Sequence, residues 1–471
     1  MNGVTRRDFL KTAGACSALT ALAPYIAHSQ TGKPPNVVII LADDMGWQDI
    51  GCYGAPYIET PNIDRMAAEG VKFTDFHTAM PYCAPSRYSL LTGCYPARLS
   101  FDDNPFPNTT FGIHQNEKTI AEMLKERGYA TAIYGKWHLG HQPQFLPTRH
   151  GFDEYYGLPY SNDMWPFHPE QEKFDFPPLP LMENEKILEY NPDQTRLTTD
   201  YTTRAVSFIE RNSDRPFFLY VPHSMPHVPI YVSDKFKDSS KRGLYGDVVS
   251  EIDWSVGRIL DTLKRKGLDD NTLVIFVSDN GPWLSYGEHA GSAGLFREGK
   301  ATSFDGGHRV PCIMRWPGKI PGGRTCTDPA MTLDFMPTIA ALTDGKLPDH
   351  PIDGGDIMPL MTGEDGAKSP HEIMYLYQGA QLQAVRQGRW KLHFLHPYQS
   401  LSGRRGGAEG QPAPVDTVWT AGGLYDLYTD PGESYDRSAE FPEIVERLTK
   451  LGTAFKEKMA REARPAGHAA G

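Results

Sequence analysis

Residues 36–44 read NVVIILADD, and this segment decides the fold class. Its apolar run shows no polar alternation, which is typical of a strand buried on both faces of a parallel sheet. Apolar or β-branched runs also occur at residues 130–134, 217–221 and 273–277, with amphipathic helical segments between them. This alternation predicts an α/β fold with a large, mostly parallel or mixed sheet flanked by helices.

Capping residues set the predicted helix boundaries around these strands. Thr60 and Pro61 predict the start of a helix that ends at Gly70, and residues 119–126 predict another that ends before Gly128. Residues 160–200 are rich in proline, aspartate and aromatic side chains, so we expect an irregular excursion there.

The sequence changes character after about residue 365. Residues 384–394 predict a hairpin, residues 402–423 a glycine- and proline-rich loop, residues 424–428 a further strand and residues 442–460 a helix. We therefore expect three regions after the N-terminus: a main α/β domain over 30–365, a C-terminal subdomain of one small antiparallel sheet with one helix over 366–460, and a disordered tail over 461–471.

The N-terminus has the features of an export signal. Arg6 and Arg7 stand in TRRDFLK, and small and apolar residues follow as far as Ile26, with AHS at residues 27–29 as the cleavage site. Paired arginines in this context are typical of bacterial twin-arginine signals. The apolar run is shorter than the ~20 residues of a membrane-spanning helix. The sequence thus predicts a signal over residues 1–29, translocation by the twin-arginine translocase, a periplasmic or secreted protein and no stable membrane anchor.

The chain is acidic, with a formal net charge of −11 over 471 residues. An acidic chain is a poor partner for nucleic acid, which we exclude on this ground. An anionic substrate stays compatible with this charge, provided that a local group of Arg, Lys and His side chains or a metal ion reverses the field.

The cysteines give little information about structure. One of the six, Cys16, lies in the signal. The sequence cannot choose among the possible disulfide pairings of Cys52, Cys94, Cys312 and Cys326, and their spacing is not that of a zinc site.

Polar side chains directly follow two of the predicted strands. Asp43 and Asp44 come after the first, and Asp279 and Asn280 follow the strand at 273–277. In open α/β sheets the site lies outside the carboxyl ends of the strands. Adjacent carboxylates repel one another unless a cation lies between them, and ligation by oxygen alone favours Ca²⁺ or, second, Mg²⁺. These four residues are therefore candidate metal ligands.

A cysteine occupies the predicted start of an apolar helix. Residues 83–93 read CAPSRYSLLTG, where Pro85 suits the first helical turn and Gly93 the stop. The helix N-terminus would favour an anion at Cys83, whether a thiolate, an alkoxide or a bound oxyanion. The spacing excludes a thiol phosphatase, because that chemistry needs a longer loop between the cysteine and Arg87.

Cationic side chains follow the other predicted strands. In GKWHLG at residues 135–140, alternation directs Lys136 and His138 to one side and Trp137 to the other. His227 lies in the segment after the strand at 217–221, and Lys300 lies in REGKAT at 297–302. These residues are candidates for binding an anionic group.

The motifs together resemble those of the type I sulfatases. The resemblance spans residues 35–445 and rests on CAPSR at 83–87, ILADDMG at 40–46, GKWHLG at 135–140, SDNG at 278–281 and LYDLYTDPGE at 424–433. The chain looks most similar to the arylsulfatase A branch. This resemblance implies an alkaline phosphatase-like fold, with catalysis in the region 30–365, and hydrolysis of sulfate esters to an alcohol and inorganic sulfate.

The resemblance also implies the chemistry of the site. Cys83 would be converted by a formylglycine-generating enzyme to formylglycine, whose hydrate is the nucleophile, with Arg87 beside it. A Ca²⁺ ion, or Mg²⁺, would bind the family's metal ligands, here Asp43, Asp44, Cys83, Asp279 and Asn280. The sulfate pocket would be lined by Lys136, His138, His227 and Lys300. His227 or Lys300 would protonate the leaving alcohol, and His138 would take a proton from the hydrate; His223 and His308 receive no role.

The residues leave two other functions open. One is a phosphodiesterase or phosphonate monoester hydrolase of the same superfamily, and the other is a catalytically inactive exported protein that binds sulfated glycans. The expected substrate is a sulfated carbohydrate or an aryl sulfate. Tyr160, Trp165 and Phe167, in the predicted excursion, are candidates for stacking on a sugar ring.

Overall fold

The strand predicted at residues 36–41 is a central strand of the main sheet. In the computed structural model, which describes residues 33–469, strand β1 (Asn36–Ala42) is buried along its whole length. It pairs in parallel with β10 (Thr272–Ser278) on one edge and with β9 (Phe217–Pro222) on the other. Because both edges and both faces are covered, no position of this strand favours a polar side chain, which explains the unbroken apolar run.

The other strands of the described residues are numbered in the order in which they occur along the chain. They are β2 (Val71–Phe73), β3 (Phe76–His77), β4 (Phe111–Gly112), β5 (Ala130–Tyr134), β6 (Glu154–Gly157), β7 (Pro180–Glu183), β8 (Lys186–Tyr190), β11 (Cys312–Arg315), β12 (Arg324–Cys326), β13 (Ala330–Met331), β14 (Ile373–Gln378), β15 (Gln381–Gln387), β16 (Trp390–His393), β17 (His396–Ser400), β18 (Asp416–Thr420), β19 (Gly423–Asp426) and β20 (Gly467–His468).

The main sheet is mixed, with a parallel centre. Its order within residues 33–469 is β12-β2-β11-β10-β1-β9-β5-β6-β7-β8. Strands β10, β1, β9, β5 and β6 run parallel, whereas β11, β7 and β8 join antiparallel to their neighbours. This confirms the predicted fold class.

Helices lie between these strands along the chain. Within the described residues the α-helices span Pro61–Ala68, Cys83–Thr92, Ile120–Glu126, Gln171–Phe174, Leu197–Arg211, Leu244–Arg265, Asp305–His308, Phe335–Thr343, Met358–Thr362 and Pro442–Glu462.

The central sheet separates two hydrophobic cores. Val37, Ile39 and Leu41 pack into one core with the helix Cys83–Thr92, and Val38 and Ile40 pack into the other with the helices Leu197–Arg211 and Leu244–Arg265. The division follows from the strand period of two residues, which sends alternate side chains to opposite faces. The main sheet is thereby held rigidly at its centre, where the strands that carry the site residues end.

Two helix starts show why the predicted boundaries hold. Thr119 accepts a hydrogen bond from the backbone of Glu122, and the Glu122 carboxylate accepts one from the backbone of Thr119, so the helix Ile120–Glu126 begins with a capping box. The helix Cys83–Thr92 ends at Gly93, whose φ of 69° is left-handed and favours glycine. Both helices confirm the sequence prediction.

The C-terminal region contains the predicted antiparallel sheet and helix. Strands β14, β15, β16 and β19 pair in that order, and the helix Pro442–Glu462 packs Leu448 and Phe455 against their apolar side chains. From Pro34 onward the chain forms one compact unit, so this sheet and the main sheet belong to a single body.

Three sequence expectations about irregular segments are wrong. The excursion at residues 160–200 contains the hairpin β7–β8, which extends the main sheet, and the loop at 402–423 contains β18, which pairs with β17. The tail expected to be disordered from residue 461 is ordered as far as residue 469, because β20 pairs with β4 and Arg464 forms an ion pair with Glu117. The partner of β20 is distant in sequence, so no local pattern indicates that strand, whereas β7 and β8 form a local hairpin that the proline-rich sequence obscures.

The predicted export signal at residues 1–29 lies outside the described residues. Across residues 33–469, no helix has both the length and the apolar character needed to span a membrane.

Candidate active site

The candidate site lies where the parallel strands end. Asp43 and Asp44 follow β1, Asp279 and Asn280 follow β10, and Lys136 follows β5. The carboxyl ends of neighbouring parallel strands meet at one edge of a sheet, which brings these residues together. His138 and His227 lie in the loops after β5 and β9 and reach the same place.

Close backbone packing fixes the loop that carries Lys136. Gly135 has a φ of 144°, and a Cβ atom there would lie 1.9 Å from the carbonyl oxygen of Pro222. The Lys136 backbone N–H donates to that same carbonyl at 2.8 Å. His138 takes a left-handed φ of 63°, so the segment is not an extended strand, yet Trp137 still turns away and donates to the Phe145 carbonyl. The predicted separation of Lys136 and His138 from Trp137 is therefore found, although alternation is not its cause.

Three carboxylates and three cations form a buried cluster. Lys136 Nζ lies 2.6 Å from Asp43 Oδ2, and Lys300 Nζ lies 2.8 Å from Asp44 Oδ2. Arg87 donates from Nε to Asp279 Oδ2 at 3.0 Å and contacts Asp43 Oδ2 at 3.0 Å. We call this set the active-site cluster; its members are Asp43, Asp44, Arg87, Lys136, Asp279 and Lys300.

The cluster shifts the pKa values of two of its carboxyl groups in opposite directions. Burial alone would raise the pKa of Asp43, but the charges of Lys136 and Arg87 hold it well below its usual value. Burial and then the charge of Asp43 raise the pKa of Asp279. Burial opposes the charged form of Lys300, but the adjacent Asp44 raises its pKa, so this ammonium keeps its proton. With every group ionised, the cluster carries three negative and three positive charges.

Cys83 lies at the start of its helix and beside Asp43. Its side chain is 1% exposed, and its Sγ lies 3.4 Å from Asp43 Oδ1. Burial and then the Asp43 charge raise the pKa of the Cys83 thiol well above its usual value. Burial and the neighbouring carboxylate thus oppose a thiolate at the unmodified residue, whereas the helix N-terminus favours one.

The surroundings of the two site histidines favour their neutral forms. Burial and then the charges of Lys136 and Arg87 lower the pKa of His138 well below 6.5, and neither ring nitrogen has a hydrogen-bond partner in the described part of the chain. Burial and then Lys300 lower the pKa of His227. His227 Nδ1 lies 2.5 Å from the Val228 carbonyl oxygen, so it carries the hydrogen, and its Nε2 faces Asp44 Oδ2 at 3.5 Å.

The two histidines without a predicted role lie elsewhere in the packing. His223 contacts Ser255 at 3.2 Å, and His308 lies 2.8 Å from the Thr78 carbonyl oxygen. Neither belongs to the active-site cluster. The five cysteines in residues 33–469 are all free thiols, so none of the disulfide pairings left open by the sequence is present there.

The donor atoms of the site suit a hard divalent cation. Asp43, Asp44, Cys83 and His227 each offer an atom within 4.8 Å of the others. Asn280 Oδ1 is buried with no hydrogen-bond partner among residues 33–469, while its amide nitrogen donates to Asp44 Oδ1 at 2.7 Å. Carboxylate and amide oxygens are the preferred ligands of Ca²⁺ and Mg²⁺. His227, which was not predicted as a ligand, lies closer to this set than Asp279, whose oxygens already accept from Arg87 and the Asp44 backbone.

A cleft of about 890 Å³ opens above these residues. Cys83, His138, His227 and Lys300 line it together with aromatic and polar side chains from other segments. Ser161, which sequence reasoning missed, accepts a hydrogen bond from Lys136 Nζ at 3.0 Å. Its position just after β6, at the same sheet edge, is the signal that could have identified it.

Comparisons with known proteins match both regions of the chain. A family model described as Sulfatase matches residues 35–345, and one described as C-terminal region of aryl-sulfatase matches residues 369–467. A model of the TAT (twin-arginine translocation) pathway signal sequence matches residues 3–23, which confirms the predicted export signal and the translocation of this chain across the membrane.

Similar proteins extend over nearly the whole chain. N-acetylgalactosamine-6-sulfatase of Canis lupus familiaris is 40% identical over 449 residues, covering 89% of this chain and 85% of that protein. Arylsulfatase A of Homo sapiens is 37% identical, covering 92% and 90%. The crystal structure of the PsFucS1 sulfatase from Pseudoalteromonas sp. superposes with a TM-score of 0.81 at 27% identity, covering 93% of each chain. The chain therefore belongs to the sulfatase family and is an exported sulfuric ester hydrolase.

Proposed function

We propose that this sulfatase removes a sulfate ester from a carbohydrate, using formylglycine derived from Cys83 and a divalent cation, Ca²⁺ in first place. The observation that carries the proposal is the convergence on the Cys83 side chain of residues that follow four parallel strands. Asp43, Asp44, Asp279 and Asn280 would hold the cation together with residue 83. The roles of individual residues below are parts of the same proposal.

The charge of the cluster supports a cation at this centre. Three carboxylates face three cationic side chains, so the cluster is neutral as it stands. A divalent cation would give it a net positive charge, which an anionic sulfate ester needs. Bound there, the cation would neutralise charge that builds up on the sulfuryl oxygens.

The side chain at position 83 defines where the chemistry takes place. As a hydrate, formylglycine would supply one hydroxyl that attacks sulfur and displaces the alcohol, and a second whose deprotonation would expel sulfate and regenerate the aldehyde. Lys136 and Lys300, both charged and directed at the carboxylates beside residue 83, hold the sulfuryl oxygens. Arg87 bridges Asp43 and Asp279 and keeps both carboxylates in place under residue 83.

His138 is the residue best suited to accept a proton. It lines the cleft with Cys83, and its imidazole is neutral because burial and two adjacent cations oppose protonation. Its free ring nitrogens allow it to accept a proton from a hydroxyl at position 83. Positioned proton acceptors of this kind contribute ~10²–10⁴-fold to rate.

Lys300 is favoured over His227 as the donor to the leaving alcohol. The one hydrogen of neutral His227 is on Nδ1 and points at the Val228 carbonyl, so Nε2 has none to give. Lys300 is protonated and lines the cleft, with its ammonium 4.3 Å from the Trp283 ring centre. These contacts support Lys300 as the proposed donor, one of the two that the sequence left open.

A mass measurement tests the nucleophile directly. The tryptic peptide from Phe73 to Arg87, from protein purified out of its native exporting host, should show –CHO in place of –CH₂SH at residue 83. Such material should hydrolyse 4-nitrophenyl sulfate faster than an aryl phosphodiester. An unmodified thiol in active enzyme would exclude formylglycine, and preference for the phosphodiester would exclude sulfate as the main substrate.

Removal of metal tests for a bound cation through the melting temperature, which does not depend on an activity assay. Chelation with EGTA should lower the melting temperature, because an ion that binds only the folded protein then no longer stabilises it, and Ca²⁺ should restore it better than Mg²⁺. Asn280→Ala should weaken this Ca²⁺-dependent shift. A melting temperature that is indifferent to both ions would count against a bound cation.

A further inference from the structure

The cleft is much larger than a sulfate group requires. Its volume of about 890 Å³ lies at the upper end of ordinary ligand pockets, roughly 300–1,000 Å³. Cys83, His138 and Lys300 account for only one part of its lining. The remaining surface faces whatever the sulfate is attached to, so its chemistry bears on the substrate.

Part of this lining is a group of parallel aromatic rings. Phe174 and Phe176 stack with ring centres 5.0 Å apart and an interplanar angle of 2°, and Phe106 lies parallel to both within 10°. His168 meets Phe174 and Phe176 edge-on. Flat aromatic surfaces of this kind pack against the C–H face of a pyranose ring.

The aromatic residues proposed from the sequence lie outside the cleft. Trp165 and Phe167 pack against each other, and Trp165 also packs on Tyr231. Tyr160 is buried against His141. None of these three lines the cleft within the described part of the chain. The aromatic surface that a sugar ring can reach in the cleft is therefore the group around Phe174, and not these three residues.

The charged lining away from the sulfate pocket is acidic. Its carboxylates are Asp103, Asp163, Glu170 and Glu298. Lys173 is the lysine of that outer lining within residues 33–469; its exposed ammonium, 3.4 Å from Glu170, offsets one of these four negative charges and leaves the lining acidic. Amide side chains complete the polar surface, namely Asn104, Gln378, Gln399 and Gln411.

Asp163 shows that this polar lining has unused hydrogen-bonding capacity. It is 8% exposed, its Oδ1 has no hydrogen-bond partner among residues 33–469, and His168 approaches its other oxygen only to 3.9 Å. Buried carboxylate oxygens are normally paired, so an unpaired one beside a cleft indicates a ligand donor. Sugar hydroxyls are donors of this kind, whereas a second sulfate offers only acceptors.

We propose that the cleft takes a sugar that carries one sulfate ester and no other anionic group, with its ring against Phe174 and its hydroxyls toward the acidic and amide lining. This inference rests on the proposed function, whose sulfate pocket orients the substrate. A second sulfate or a uronic acid on the same sugar meets carboxylates at short range, where like charges cost several-fold in affinity.

A panel of sugars tests the substrate class. Galactosides and glucosides with a single sulfate at each position are compared with the same sugars carrying a second sulfate, and 4-nitrophenyl sulfate serves as a sugar-free reference. The best monosulfated sugar should exceed its disulfated counterpart in kcat/KM by about tenfold or more. Turnover of the aryl sulfate without turnover of any monosulfated sugar, or preference for a disulfated one, overturns the inference. Absence of aryl sulfate turnover in matured enzyme is instead a failure of the proposed function.

Two kinds of variant test the roles of the acidic lining and of the aromatic group independently. Asp103→Asn and Glu170→Gln should each raise the ratio of kcat/KM for the disulfated sugar to that for the monosulfated sugar several-fold. Phe174→Ala should lower kcat/KM for the best sugar by about tenfold, mainly through KM, and Phe174→Tyr should keep it. The matched control is Phe167→Ala, which removes an aromatic ring that is 68% exposed and outside the cleft. Equal losses at Phe167 and Phe174 would contradict the assignment.

Discussion

Two clusters of buried charge in this protein are similar in composition and differ in access. The active-site cluster borders the cleft, and beside it His138 and Asn280 keep polar atoms without partners among residues 33–469. A second cluster joins the main sheet region to the C-terminal sheet, and none of its members lines the cleft. We call it the C-terminal cluster; its members are Asp75, Asp305, Arg386, Lys391, His393 and Glu433.

The C-terminal cluster satisfies its charges internally. Arg386 donates to both oxygens of Asp75, and Lys391 donates to Asp305 at 2.8 Å and to Glu433 at 3.1 Å. Burial alone would raise the pKa of Asp305, but Lys391 and His77 lower it well below its usual value. Buried charge is therefore not by itself a sign of catalysis. What distinguishes the active site is buried charge beside unpartnered atoms that face a cleft.

The largest expected difference between the clusters is in activity. Cys83→Ala should lower kcat by about 10⁴-fold or more, as removal of a nucleophile does, with little change in melting temperature. The matched control is Cys312→Ala, which removes a buried thiol from β11, outside the active-site cluster, and should keep the activity. Comparable losses in both variants would mean that Cys83 acts through packing.

The next largest effect is expected on stability. Lys391→Met removes the buried cation that Asp305 and Glu433 share and leaves Asp305 with Arg309 at 3.3 Å, which should lower the free energy of unfolding by about 3–5 kcal/mol. The kcat of the folded fraction should stay within a few-fold of the parent, because the C-terminal cluster does not border the cleft. Urea unfolding followed by tryptophan fluorescence, together with assays well below the transition, checks both parts. Loss of activity at unchanged stability would instead indicate that Lys391 takes part in catalysis.

The pH dependence of stability should have a part that is independent of the active site. Burial lowers the pKa of His308, near the C-terminal cluster, from 6.5 to about 3. The unfolded chain therefore binds a proton at this histidine below about pH 6.5 while the folded protein does not. The stability due to neutral His308 is complete above pH 6.5 and falls with decreasing pH by about 1.4 kcal/mol per unit. His308→Gln should flatten the decrease in unfolding free energy between pH 6.5 and 5; an unchanged slope would assign that decrease to other groups.

The smallest effect is expected where a charge pair is exposed. Lys450 and Glu446 form an ion pair one helical turn apart on the surface of the helix Pro442–Glu462, with both side chains more than half exposed. Lys450→Met should change the free energy of unfolding by no more than about 0.5 kcal/mol. A loss close to that of Lys391→Met would show that burial is not the source of the difference between these two lysines.

The sequence predicted those parts of the site that depend on strand ends. Asp43, Lys136 and Asp279 each follow an apolar run, and parallel strands bring their ends to one edge, so the local pattern was sufficient. The C-terminal cluster was not predicted, because Lys391 lies in a short strand where a lysine is usually exposed, and its partners come from residues 305 and 433. The cleft aromatics were missed for the same reason: the position of Phe174 depends on packing with Phe106, far away in sequence.

The pairing of β20 with β4 has a consequence for biosynthesis. The last strand that the structure describes pairs with Phe111–Gly112, so this pairing can form only after residues 467 and 468 have left the ribosome. A protein translocated in the folded state can leave the cytoplasm only after this step. A truncated chain lacks the closing strand and keeps an open strand edge, which is a target for proteases and for aggregation. Synthesis through residue 468 is thereby required before the fold that the structure describes is closed at β4.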